Sequence, residues 1–285
     1  MLFKRILLAV AIALVMMSAS AGDALAAGDP IPRLIVFGDS YSSLKTGIRK
    51  WAAQLLDTRQ TKALLNRAVG GSTGGSYGSP TNDTFAAQVA RFLPTTTPRA
   101  GDVTVVYFGA NDMTRSVIQS SFPGLPKVLG DYRAALNRLV NAGYATGGRR
   151  LLVVQPHDWS RVPRFTGPDK RLAPAVHRNQ LTWNEGVAAA ARQIPGAVVV
   201  DVFTPMECVF RNPGKFGFKN VRDMRPASAP ASTYLYGYND RYHFAVNGQT
   251  LIRRVMEYYL ARGNVSHARL VSDMAAGRVL GVPCS

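Results

Sequence analysis

The sequence is short of the residues that build metal and redox centres. It has two cysteines in 285 residues, and four histidines, His157, His177, His243 and His267. Two cysteines exclude a zinc ribbon or a cluster held by four thiolates. The histidines lie too far apart for an HExxH metal helix. Glutamate is scarcer still: Glu185, Glu207 and Glu257 are the only three, which argues against glycoside cleavage by a glutamate pair. Acids as a whole are few, 17 against 34 lysines and arginines, for a net charge of +17. Beyond the first residues no apolar stretch is long enough to cross a bilayer. What remains is 47% hydrophobic and 18% charged. That supports a large core and excludes a disordered chain. No metal or organic cofactor is implied.

The N-terminus reads as an address. Lys4 and Arg5 precede an apolar run from Ile6 to Met17, and Ala24-Leu25-Ala26 offers a small-residue cleavage site, with Ala19-Ser20-Ala21 as a second candidate. This is the tripartite pattern of a secretory signal; an uncleaved anchor is the alternative. Residues 1–26 are therefore expected to be a leader and 27–285 a single domain, secreted or periplasmic. In an oxidising compartment Cys208 and Cys284 are expected to pair, the alternative being two buried thiols.

Short β-branched runs alternate with helix-like segments. Strands are expected at 33–37, 63–69, 102–108, 150–155 and 197–202, and helices at 47–56, 85–93, 128–142, 181–193 and 246–262. Strands spaced by helices predict a three-layer α/β/α sandwich with a parallel central sheet, of flavodoxin-like type. The Gly/Pro/Ser-rich stretch 212–237 is long and irregular, which suggests a functional or capping loop.

In open parallel sheets ligands sit at the carboxyl ends of the strands, and the unusual residues fall there. Gly38-Asp39-Ser40 follows the first strand, Gly70-Gly71 the second, Gly109-Ala110-Asn111-Asp112 the third and Pro156-His157-Asp158 the fourth. Asp240-Arg241-Tyr242-His243 precedes the last of these helices. An acyl-transfer site needs a nucleophile, a base, a group that orients the base, and oxyanion donors. Ser40 suits the first role, His243 the second and Asp240, three residues earlier, the third. The Ser40 and Gly71 N–H groups and the Asn111 amide are candidate oxyanion donors. A rival exists, since Gly70-Gly-Ser-Thr-Gly74 and Gly74-Gly-Ser-Tyr-Gly78 both fit the G-x-S-x-G nucleophile elbow around Ser72 and Ser76. Five glycines within nine residues produce that pattern by composition, and no helix pattern follows it directly.

At these positions the sequence resembles the GDSL, or SGNH, hydrolases. Val36-Phe-Gly-Asp-Ser-Tyr-Ser42 is similar to the family's first block, and Asn66-Arg-Ala-Val-Gly-Gly71 to its glycine block. Gly109-Ala-Asn-Asp112 is similar to the G-x-N-D block and Asp240-Arg-Tyr-His243 to the D-x-x-H block. The likeness runs from Arg33 to about Leu260. Asn212-Pro-Gly-Lys-Phe-Gly-Phe218 also resembles a segment of larger secreted members that act on lipids or acylated plant polysaccharides. Tyr41 departs from the family's Leu, which leaves the reaction untouched but suggests a different pocket entrance.

The resemblance implies a serine esterase or lipase working through an acyl-enzyme on Ser40. An acyltransferase using the same residues, or a non-catalytic basic protein that binds an envelope or polymer, are the alternatives. The basic clusters at 161–178 and 211–225 suggest attraction to an anionic membrane or polymer, against the alternative of a dispersed, solvated surface; nucleic acid is not expected. Asp39 is expected to satisfy backbone donors in its turn and Asp112 to hold the Asn111 loop. His177 and His267 are expected at the surface, and Trp159 as a pocket wall. Asn82 and Asn264 match glycosylation acceptors.

Overall fold

In the computed structural model residues 29–44, 48–77 and 83–284 are described. The expected leader at 1–26 and the Asn82 acceptor lie outside them. Five strands, β1 (Arg33–Gly38), β2 (Leu64–Asn66), β3 (Asp102–Tyr107), β4 (Arg150–Gln155) and β5 (Val198–Asp201), pair in parallel in the order β2-β1-β3-β4-β5. Every residue of β1 and β3 is buried. Covered faces on both sides explain why these strands read as unbroken apolar runs rather than as alternation.

The covering layers are helices α1 (Trp51–Asp57), α2 (Phe85–Phe92), α3 (Ala110–Ile118), α4 (Leu125–Asn141), the one-turn α5 (Pro163–Thr166), α6 (Ala173–Arg192), α7 (Phe203–Arg211), α8 (Val246–Arg262) and α9 (His267–Ala275). Helices α2, α4 and α6 pack side by side, and α1 packs on α8. Helix α4 shows the reason: Leu125, Val128, Tyr132, Ala135, Leu136 and Leu139 fall on one buried stripe, the spacing of an amphipathic helix. A Pro in its first turn starts it one turn before the expected 128. The Thr84 side chain caps α2 by accepting from the Ala87 N–H at 3.1 Å.

This is the expected three-layer α/β/α sandwich. Its strand order is the flavodoxin-like one, whose ligand crevice opens where the order reverses, between β1 and β3. Ser40 follows β1 and Asn111 follows β3 across that same gap. Cys208 of α7 lies beside Cys284, with Cα atoms 5.8 Å apart. No described helix is long and apolar enough to cross a membrane.

Candidate active site

Ser40 sits in a tight turn directly after β1. Ser42 and Ser43 donate their N–H groups to the Asp39 carbonyl at 3.1 and 3.0 Å, and the Tyr41 N–H donates to the Asp39 carboxylate at 2.9 Å. Asn66, at the end of β2, donates its amide to the Ser42 carbonyl at 2.7 Å. The turn is thus held from both sides, and Ser40 is left half-buried at its tip. The expected role of Asp39 as a backbone acceptor in its own turn agrees with this geometry. Burial pushes its carboxyl up to about 7, against the lowering effect of hydrogen bonds from the Tyr41 and Ala110 N–H groups.

The second segment arrives from the other end of the sequence. Asp240 Oδ1 accepts the N–H groups of Tyr242 and His243, both at 2.9 Å, which closes a turn. That turn brings His243 Nδ1 to 2.8 Å from Asp240 Oδ2 and points His243 Nε2 at Ser40 Oγ, 2.7 Å away. Burial raises the Asp240 carboxyl, but the His243 hydrogen bond and charge, with the two N–H groups, hold it below the ordinary value. An ionised Asp240 fixes the imidazole with its proton on Nδ1 and leaves Nε2 free to accept from the serine.

On the opposite side of Ser40 lies the glycine loop. A Cβ on Gly70 would stand 3.9 Å from the Ser40 Cβ, and Gly71 has φ +81°, a left-handed conformation that favours glycine. Asn111, in the first turn of α3, donates Nδ2 to the Ser72 carbonyl at 2.8 Å. One amide hydrogen is used there, and a second remains on the same nitrogen. Asp112 does not hold its own loop alone: its carboxylate accepts the Gly74 N–H at 2.9 Å and the Tyr77 hydroxyl at 2.9 Å. Ser72 is fully buried, and its hydroxyl accepts from Gln88 Nε2 at 3.0 Å. The Ser76 N–H donates to Asp131 on α4. It is Ser40 that meets the imidazole, and the G-x-S-x-G pattern lies in the loop beside it.

The model of the GDSL-like lipase/acylhydrolase family matches residues 36–251. The chain belongs to this family. No curated protein matches it in sequence. Among solved structures it is similar to a variant of an acetyl xylan esterase from Geobacillus stearothermophilus, at 15% identity and TM-score 0.51, covering 83% of this chain and 98% of that one. A protein from Lactobacillus plantarum aligns at 17% identity and TM-score 0.52, over 81% and 97% of the two chains. A member of the lipolytic G-D-S-L family from Veillonella parvula aligns at 12% and 0.50, over 79% and 94%. Membership makes this GDSL-like acylhydrolase an ester-bond hydrolase.

The acylhydrolase departs from the sequence expectation at Tyr41, and other side chains near the site take positions that the sequence did not specify. Tyr41 is buried, not at a pocket entrance: its hydroxyl donates to the Tyr242 carbonyl at 2.6 Å, and its ring lies 5.6 Å from that of His243. It props the histidine from beneath. Trp159 is buried beside it, donating to Thr114 Oγ1 at 2.7 Å and stacking on Tyr242. His157 is wholly enclosed by the rings of Tyr41, Trp159 and Phe244, and burial pushes its imidazole down to about 3. His177 is partly exposed but engaged, with Nδ1 2.7 Å from Asp158. Lys50 is fully buried near Asp39 and Asp240; burial lowers it while those two carboxylates act in the opposite sense. Nothing in the sequence around Lys50 signals a buried cation. Among the described residues no group of His, Cys, Asp and Glu could hold a metal ion.

Proposed function

We propose that the chain cleaves carboxylic esters, among them acyl or acetyl groups on carbohydrate, through an acyl-enzyme on Ser40. The observation that carries this reading is the unbroken relay from Ser40 Oγ to His243 Nε2 at 2.7 Å and from His243 Nδ1 to Asp240 at 2.8 Å. Ser40 attacks the ester carbonyl while His243 takes its proton. The tetrahedral oxyanion is held by the Ser40 and Gly71 N–H groups and the free hydrogen of the Asn111 amide. His243 then protonates the leaving alcohol, and the same base activates water to release the acid. The acetyl xylan esterase among the structural neighbours favours short acyl groups. Export after removal of residues 1–26 belongs to the same reading, supported by the signal-like N-terminus and the juxtaposed cysteines.

A fluorophosphonate probe tests the assignment. It should label Ser40 alone, and Ser40→Ala should lose both the label and nearly all p-nitrophenyl acetate hydrolysis while melting at the wild-type temperature. An adduct mapped to Ser72 or Ser76 would refute the assignment.

A further inference from the structure

The two basic clusters, separate in sequence, converge on the segment that carries Asp240 and His243. The Arg164 N–H donates to the Arg241 carbonyl at 3.2 Å, and Tyr236 donates its hydroxyl to the Arg161 carbonyl at 3.0 Å. Thr166 of α5 donates to the Arg222 carbonyl at 2.8 Å, and the Arg225 N–H to the Gly237 carbonyl at 3.2 Å. The guanidinium of Arg225 covers Tyr238 and that of Arg164 covers Tyr242. Arg161, Arg164, Arg222, Arg225 and Arg241 therefore form one rim around the 236–243 turn. Acids answer part of it: Arg161 reaches Glu207 and Asp158, and Arg164 pairs with Asp169. Exposed Asp223 accepts instead from Asn220. Among the described residues no carboxylate pairs with Arg222, Arg225 or Arg241, and all but Arg225 are exposed.

We infer that this rim binds the carboxylates of an acidic, acylated polysaccharide and presents its ester groups to Ser40. The inference rests on the proposed ester hydrolysis and names its substrate class. Planar guanidinium groups match carboxylates in geometry as well as charge. A polymer carrying both acyl esters and uronate-type carboxylates would place neighbouring charges on the rim when one residue occupies the site. A lipid surface fits less well. Among the described residues, Tyr238 is the one exposed large apolar side chain of the rim, and a guanidinium lies over it.

The test compares O-acetylated polygalacturonate with acetylated xylan as a neutral polymer, at low and high salt. Binding is measured with Ser40→Ala protein and acetate release with active enzyme. Arg222→Glu/Arg241→Glu alters the rim, and Arg133→Glu/Arg138→Glu on exposed positions of α4 makes the same charge change away from it. The expected result is tighter binding of the acidic polymer that weakens with salt, and a loss of at least about tenfold in the rim variant against less than about twofold in the control. The rim variant's kcat/KM on the acidic polymer should fall in step, relative to its kcat/KM on p-nitrophenyl acetate. Equal binding of the two polymers, or equal losses in the two variants, overturns the inference. So does a rim variant that loses binding to phosphatidylglycerol vesicles but keeps the acidic polymer. Failure of the underlying esterase reading shows differently, as an unlabelled Ser40 and no turnover of the small ester.

Discussion

Asn111→Ala isolates the oxyanion donor that the sequence places farthest from the serine. Asn111 Nδ2 is 2.8 Å from the Ser72 carbonyl, so the amide is locked in position before substrate arrives and its second hydrogen needs no reorientation. Loss of one such preorganised donor costs about 2.7–4 kcal/mol in the transition state, roughly a hundred- to a thousandfold in kcat. The same substitution also removes a hydrogen bond to the glycine loop, worth about 1 kcal/mol of folding stability. That is about 2–4 °C in melting temperature for a domain of this size. The two losses are separable by assay. Steady-state kinetics on p-nitrophenyl acetate should show kcat falling with KM little changed, because the interaction forms only as the oxyanion develops. A thermal melt should show the small shift alone. Asn111→Asp keeps the size but turns an acceptor toward both the Ser72 carbonyl and the oxyanion, and should be at least as severe. A loss below about tenfold in kcat, or one carried mainly by KM, would remove Asn111 from the oxyanion hole.

Three further outcomes follow from the structure. A Cys208–Cys284 bond closes a loop of sequence separation 76 that contains Asp240 and His243; the chain-entropy model gives it about 4 kcal/mol. Reduction should lower the melting temperature by about 10 °C, and two freely alkylated thiols in the folded protein would refute the pairing. His157 has no hydrogen-bond partner on either ring nitrogen among the described residues, and its folded value lies near 3. The unfolded chain therefore takes up this proton first as pH falls below about 6.5, and stability is lost from there downward. His157→Phe should flatten that loss when melts at pH 7 and pH 4.5 are compared; an unchanged slope would contradict it. Asp273 accepts from Tyr258, Arg269 and Arg278, hydrogen bonds led by that of Arg269, and these hold its carboxyl well below the usual range. Its contribution is present above the unfolded value of about 3.9 and disappears as pH falls through the folded one. Asp273→Asn should accordingly melt lower than wild type near pH 7 and converge with it in strong acid, whereas a constant gap would point to packing instead of charge.

The sheet was legible because its strands are covered on both faces, which turns burial into uninterrupted apolar runs; 150–155 is matched residue for residue. Helices with a wide apolar stripe were legible too, as with Val246–Arg262. Besides the one-turn α5, three helices were not. Ala110–Ile118 begins inside the block read as a loop, after Gly109 at φ +136°, where Trp183 and Pro156 leave no room for a Cβ. Phe203–Arg211 and His267–Ala275 are two and a half turns each, too short for periodicity to declare itself. The first two turns of α6 were hidden by Pro174 and the polar run His177-Arg178-Asn179. At the candidate site, the turns that carry Ser40, Asp240 and His243 were legible because they are built by near neighbours. Tyr41, which packs against His243, and the Trp159 and His157 rings around Tyr41 could not, because they meet only through long-range packing. The convergence of the two arginine clusters on the 236–243 turn was invisible for the same reason.

One feature of the motifs acquires a physical reason only in three dimensions. Each of two proposed functional residues has an aspartate as its immediate neighbour, Asp39 before Ser40 and Asp112 after Asn111, and both carboxylates are fully buried. Burial raises them to about 7 and about 6, so each is costly to hold as an anion. Neither has a cation in hydrogen-bonding contact among the described residues; both accept backbone N–H groups, that of Tyr41 at Asp39 and that of Gly74 at Asp112. Asp39 accepts the Tyr41 N–H within the turn after β1 and lies close enough to α3 for the Ala110 N–H to lower its carboxyl, while Asn66 at the end of β2 ties that turn to its neighbour through the Ser42 carbonyl. Asp112 ties the helix after β3 to the Gly74 N–H and the Tyr77 hydroxyl in the loop after β2, and Asn111 adds the bond to the Ser72 carbonyl. The loops after β1, β2 and β3 are thereby fastened in series, and these are the loops that supply the serine and every candidate oxyanion donor. A carboxylate in this role offers acceptors on both of its oxygens, where an amide of the same size has one acceptor oxygen and a donor NH2 in place of the other. The adjacency in sequence follows: a residue that must be aimed to within a fraction of an ångström is fixed most directly by a neighbour anchored to the opposing loop.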